Sequence, residues 1–149
     1  PIDHASGWHD QGGGDCKSLH VYYKPYRYRK DANGRAVVLS EFGGYSLHLA
    51  GHSFSEKEFG YKRCKTADAL MRDVEALYDR EVIPARMQGL SASVYTQLSD
   101  VEQETNGLVT YDRAVVKFDA ARMRAINERL IAGKPAVAAK PDVDDEEDE

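Results

Sequence analysis

The sequence predicts an α/β fold, and three stretches predict it. Ala36-Val37-Val38-Leu39 is a continuous apolar run bounded by Asn33-Gly34 and Gly43-Gly44, the pattern of a short strand buried on both faces. Downstream, Leu70, Val74, Leu77 and Tyr78 recur at helical spacing, so one face of a helix is apolar. Beyond that helix, Leu90 to Leu98 reads as a further strand.

Taken in order, Pro1 to Gly14 is a polar, aromatic, glycine-rich loop without periodicity. Trp8 offers a large apolar plane with one donor, suited either to stacking on a ligand or to packing under the loop. His4, His9 and Asp10 are metal-ligand types, but their loop placement does not fix the geometry that a metal needs, and no metal or cofactor is expected. Ser18 to Tyr23 alternates as a strand, with Leu19 and Val21 on one face and His20 and Tyr22 on the other. Lys24 to Gly34 is a basic, tyrosine-bearing connection that reads as solvated surface.

Glu41 follows the apolar run directly, and Gly43 and Gly44 come next. A carboxylate at the end of a buried strand is costly unless paired or hydrogen-bonded. Strand ends of this kind are preferred positions for catalytic and ligand-binding groups. On the residues alone, Glu41 is either such a group or a cap on the turn. Tyr45 to Lys65 is a long connection, of the length used by lids and cleft walls. Its His48 and His52 read as structural.

Thr66 is placed to cap the helix, with Asp68 in the first turn. Pro84 ends or kinks that helix, and Gly89 closes the segment. Past the strand at Leu90 to Leu98 lies a polar cluster that includes Gln97, Asp100, Glu104 and Asn106. Asp119 is a second N-cap, and Met123, Ile126 and Leu130 form the stripe of a last helix that Gly133 ends. Residues 134–149 begin as a Pro/Ala-rich linker and finish as an acidic run, which is expected to be a disordered tail. Residues 1–133 are expected to form the folded domain.

Composition excludes some classes. The net charge is −5 and there is no basic stripe, which argues against nucleic acid. No run approaches the roughly 18 apolar residues of a membrane span. Cys16 and Cys64 lack metal spacing and a disulfide framework, so they are expected as free thiols, which weakly favours a reducing, cytoplasmic setting.

Ser40-Glu41-Phe42-Gly43-Gly44-Tyr45, after its apolar strand, resembles the nucleophile motif of glycoside hydrolase family 2, the β-galactosidase and β-glucuronidase family. Asp15 to Tyr23 resembles the sixth strand of that family's barrel. Ser93 to Asp100 resembles the eighth strand, and Asn106 to Arg113 the segment after it. The likeness runs from about Asp3 to Leu130 in the family's order. It implies the C-terminal portion of a (β/α)8 barrel, from about strand five or six to strand eight. A whole barrel needs roughly 250 residues, so the chain is expected to be part of a longer protein and to need its N-terminal part or a second copy as partner.

The resemblance implies a retaining glycosidase with Glu41 as nucleophile and Tyr22 as the residue that orients it. Trp8, His20, Tyr95, Asp100, Glu104 and Asn106 are the implied carbohydrate contacts, Tyr95 standing where many relatives have Trp. β-Glucuronidases carry an Asn-x-Lys pair near Asn106 that this sequence lacks. Glu104 would repel an anionic sugar, so a neutral, β-galactoside-like substrate is implied. The family's acid/base is the Glu of an Asn-Glu pair on strand four. The Asn127-Glu128 of this chain lies in a helical pattern after the nucleophile and cannot play that part. The isolated chain is therefore expected not to hydrolyse substrate. The alternatives are a carbohydrate-binding fragment without chemistry and a purely structural one.

Overall fold

The computed structural model describes residues 1–4 and 7–134; the expected acidic tail lies outside them. The class is mixed α/β, as the sequence predicts. Three strands, β1 (Cys16–Val21), β2 (Ala36–Gly43) and β5 (Ala92–Thr96), form a parallel sheet in the order β1-β2-β5. The long apolar run is thus the central strand. Two short strands, β3 (Tyr45–Ser46) and β4 (Lys62–Arg63), pair in parallel outside this sheet.

Helices separate β2 from β5. In α1 (Ala67–Leu77) Thr66 caps the N-terminus by accepting from the Ala69 N–H. A π-helical turn over Tyr78–Val82 follows, and α2 (Ile83–Gln88) continues from it. The turn explains how the chain tolerates Pro84. Proline has no N–H for the helical ladder, and the ladder slips one residue just ahead of it, with the Ile83 N–H bonding the Tyr78 carbonyl. Gly89 then terminates the segment. The last helix, α3 (Ala120–Ala132), begins at the Asp119 cap and ends at Gly133 in the left-handed region.

One core joins these layers. Val37, Leu39 and Phe42 of β2 are buried against Leu70, Met71 and Val74 of α1, Tyr78 and Val82 of the π turn, and Ile126 of α3. The burial of apolar area on this side of the sheet supplies the main driving force. Arg122 holds α3 to α1 through a two-pronged bond to Glu75 at 3.0 and 2.6 Å. Arg129 ties α3 to the π turn in the same way, through Asp79 at 3.2 and 3.1 Å.

The pairing of β2 has an irregularity that sets the site. Leu39 pairs with Leu19, but Glu41, not Ser40, pairs with His20. On the other side, Leu39 pairs with Ser93 and Phe42 with Tyr95. Ser40 is therefore an extra residue, a β-bulge. Strict alternation from Leu39 would send Glu41 into the core and Phe42 to the opposite face. The bulge reverses this: Phe42 is buried, and Glu41 emerges on the face away from the helices.

Candidate functional site

Glu41 sits near the C-terminal end of the central strand, where neighbours from β1 and β5 converge on it. The Tyr22 hydroxyl donates to Glu41 Oε2 at 2.7 Å. The Tyr22 oxygen is 2.9 Å from Thr96 Oγ1. A phenol has one proton, so with that proton on Glu41 the threonine hydroxyl donates to Tyr22. The result is a directed chain, Thr96 to Tyr22 to Glu41. Burial, followed by the hydrogen bond to Glu41, pushes the Tyr22 phenol well above its usual range, while Thr96 opposes the shift. Tyr22 is thereby kept as a proton donor to the carboxylate.

His20 adds a second neighbour. Its Nδ1 lies 3.1 Å from the same Oε2. That nitrogen is buried and makes no aligned hydrogen bond, so the contact is an ion pair when the ring is protonated. Both contacts fall on Oε2, and Oε1 has no hydrogen bond among the described residues. The Glu41 side chain is 43% exposed. One oxygen is held and the other has no hydrogen bond among the described residues, which leaves a carboxylate oxygen available to act as a nucleophile.

Aromatic rings frame this carboxylate. Tyr61 lies flat on Tyr22, with centroids 3.7 Å apart and planes 6° from parallel. Gly44 makes that approach possible. It has φ +65°, and a Cβ there would fall 2.3 Å from the Tyr61 ring. On the other flank, Trp8 stands edge-on to His20 at 5.3 Å and tilted to Tyr22 at 6.4 Å. A cavity of about 210 Å³ adjoins the site through Tyr22 and Tyr23 and is lined further by Tyr26, Tyr45 and Glu81; Glu41 does not line it.

No family model matches the chain, and no curated protein matches it.

The sequence-predicted site residues divide into two groups. Glu41, Tyr22, His20 and Trp8 come together as described. Glu104 lies close by, accepting from the Gln97 side-chain amide at 2.9 Å. Three others need correction. Tyr95 does not offer a floor to the site. Its side chain points to the helix layer, edge-on to Phe42 at 5.6 Å and to Phe118 at 5.9 Å. Strand alternation gives the open face to Thr96 instead. Asp100 is no surface contact either. It is fully buried against Lys117, bonding its Nζ at 2.7 Å and the Gly107 N–H at 2.8 Å. Asn106 is also wholly buried, and its Oδ1 accepts from Gln97 at 2.8 Å. These two residues build the loop behind Gln97 and Glu104.

Sequence reasoning missed Thr96 and Tyr61. Thr96 was legible from alternation, because only one of two successive strand residues can share a face with Tyr22. Tyr61 was not, since its approach depends on how the 45–65 connection folds back. That connection is more ordered than its length predicts. Tyr61 N–H bonds the Gly44 carbonyl, and Phe59 exchanges backbone bonds with Gln103 and Thr105. His48 and His52 take structural partners, Ser55 and Asp112.

Proposed function

We propose that this chain carries the nucleophile half of a retaining β-glycosidase active site, acting on neutral, galactoside-like sugars and belonging to the C-terminal portion of a (β/α)8 barrel. The observation that carries this is the Thr96–Tyr22–Glu41 chain, which fixes one carboxylate oxygen at a parallel strand's C-terminal end and leaves the other free. Glu41 Oε1 would attack the anomeric carbon as the bond to the leaving oxygen breaks. A second carboxylic acid, about 5 Å away in retaining enzymes, protonates that oxygen and then takes a proton from the water that releases the sugar. Tyr22 holds the attacking group aimed through its hydrogen bond to Oε2. No second carboxyl pairs with Glu41 among the described residues, so the acid is assigned to a further segment or chain. The outer edge of β5 fits an added strand there, while the His20 N–H on the β1 edge already bonds the Gly7 carbonyl. Glu104, beside Tyr61 and Gln97, disfavours an anionic sugar.

A leaving group that departs without a proton tests the nucleophile separately from the acid. The chain is incubated with 2-deoxy-2-fluoro-β-galactosyl fluoride and digested, and peptides are mapped by mass spectrometry. One glycosyl adduct on Glu41 is expected, absent in Glu41→Gln with an unchanged circular dichroism melt. An unlabelled Glu41 in a folded chain would overturn the assignment.

A further inference from the structure

Glu41 Oε2 has two neighbours, and they differ in what a change of pH does to them. Tyr22 donates to it at 2.7 Å. Burial holds that phenol well above its usual range, so Tyr22 stays neutral. His20 Nδ1 lies 3.1 Å from the same oxygen, on a side chain only 9% exposed. The ring is pinned there. A Cβ on Gly7 would fall 2.0 Å from it, so the loop backbone lies directly on the imidazole, and Trp8 stands edge-on at 5.3 Å. The titratable groups that meet at this oxygen are thus His20, Glu41 from β2 and Tyr22 just past β1; Gly7 and Trp8 bring no charge. Asp3 and Asp10 of the same loop are bonded to Ser18 and Arg35 instead.

One proton changes the character of the contact. A neutral imidazole protonated on Nε2 turns a lone pair toward an anionic oxygen, which repels it. With the proton on Nδ1, the N–H is not aligned with Oε2. A protonated imidazole sets a full positive charge beside the carboxylate. That charge acts in opposite directions on the two halves of a displacement. As an Oε1 lone pair bonds to carbon and the leaving group departs with its electron pair, Glu41 loses negative charge, and an adjacent cation slows the step. When a second nucleophile bonds to that carbon, the C–O bond breaks, its electron pair returns to Glu41, and the cation speeds the step.

We infer that His20 is a positioning residue that gates Glu41 by protonation: the neutral ring favours attack and the charged ring favours release. The chemistry rests on the nucleophile reading above; the pH dependence rests on the His20–Glu41 contact alone.

The chain is labelled with 2-deoxy-2-fluoro-β-galactosyl fluoride at a series of pH values. The labelled chain is then treated with a fixed concentration of azide anion, which displaces the sugar without a general base. Across about pH 5.5 to 8, where an imidazole changes charge, labelling is expected to rise and azide release to fall. Each changes roughly tenfold, the scale of one adjacent charge. In His20→Gln both rates are expected to lose this dependence. NMR of the unmodified chain needs no variant: the Glu41 carboxyl carbon is expected to shift at the pH where the His20 ring titrates. Parallel trends in the two rates, an unchanged profile in folded His20→Gln, or a Glu41 carboxyl indifferent to the His20 titration would overturn the gate. No label at any pH in a folded chain removes the nucleophile reading instead; coupled NMR shifts would then still support the proton-dependent contact, and uncoupled ones would overturn it too.

Discussion

Thr96 ends one outer strand of the sheet and Tyr22 directly follows the other, yet their hydroxyls meet at 2.9 Å. The contact spans 74 residues of sequence and ends on Glu41. Hydrogen bonds to charged groups contribute about 1.5–3 kcal/mol, and about 1.4 kcal/mol is tenfold in rate. Tyr22→Phe is therefore expected to slow labelling of Glu41 about 10- to 100-fold with the fold intact. Thr96→Val, one bond further from the carboxylate, is expected to slow it several-fold. Time-resolved intact-mass spectrometry reads both.

Lys117 is buried with Asp100 and also donates to the Thr105 carbonyl at 2.9 Å. Burial lowers its ammonium, and the Asp100 bond opposes that. Lys117→Met leaves the buried Asp100 carboxylate without its cation, with only the Gly107 N–H bonded to it, and loss of one partner of a buried pair costs about 3–5 kcal/mol. The urea midpoint is expected to fall accordingly. Asp100→Leu combined with Lys117→Met is expected to recover part of it.

Asp112 gives a pH prediction. The Thr110 hydroxyl first, then the Ala114 N–H and His52, hold its carboxyl at about 2. An unfolded aspartate titrates near about 3.9. A depressed carboxyl stabilises the fold above that value, and the contribution disappears as pH falls toward about 2. Asp112→Asn is thus expected to lower the melting temperature at pH 6 and to match the unmodified chain at pH 2. A carbon-detected NMR titration reads the carboxyl directly.

Gly44 is both left-handed and overlaid by Tyr61. Gly44→Ala forces the ring away and strains the backbone, at a cost of about 1 kcal/mol or more. The variant is expected to melt lower and to lose the Tyr61–Tyr22 stack, seen as a downfield shift of ring protons.

Local chemistry was legible in the sequence where a side chain acts on its own neighbourhood. Thr66 and Asp119 cap the helices they were expected to cap, and Gly133 ends the last one. The central strand is where the apolar run and its glycine brackets put it. Pro84 was legible as a disturbance, but the π turn that absorbs it depends on the packing of Tyr78 and Val82. Asp100 and Asn106 misled because their polarity is ordinary for a surface loop. Only the fold brings Lys117 across to neutralise Asp100, and that pairing is what allows burial. Tyr95 misled through its position at the strand end, since facing direction there follows the register of β2.

The bulge at Ser40 gives the strand an arithmetic with a sharp consequence. Loss of that one codon would set Glu41 directly after Leu39 and opposite His20, and regular alternation would still turn Glu41 out and Phe42 in. What turns the strand over is a slip that draws Ser40 into the ladder opposite His20: Glu41 would then look in and Phe42 out, while every residue at the site kept its identity. The facing of the carboxylate thus depends on pairing rather than on composition, and a one-residue slip here is harsher than the deletion of Ser40.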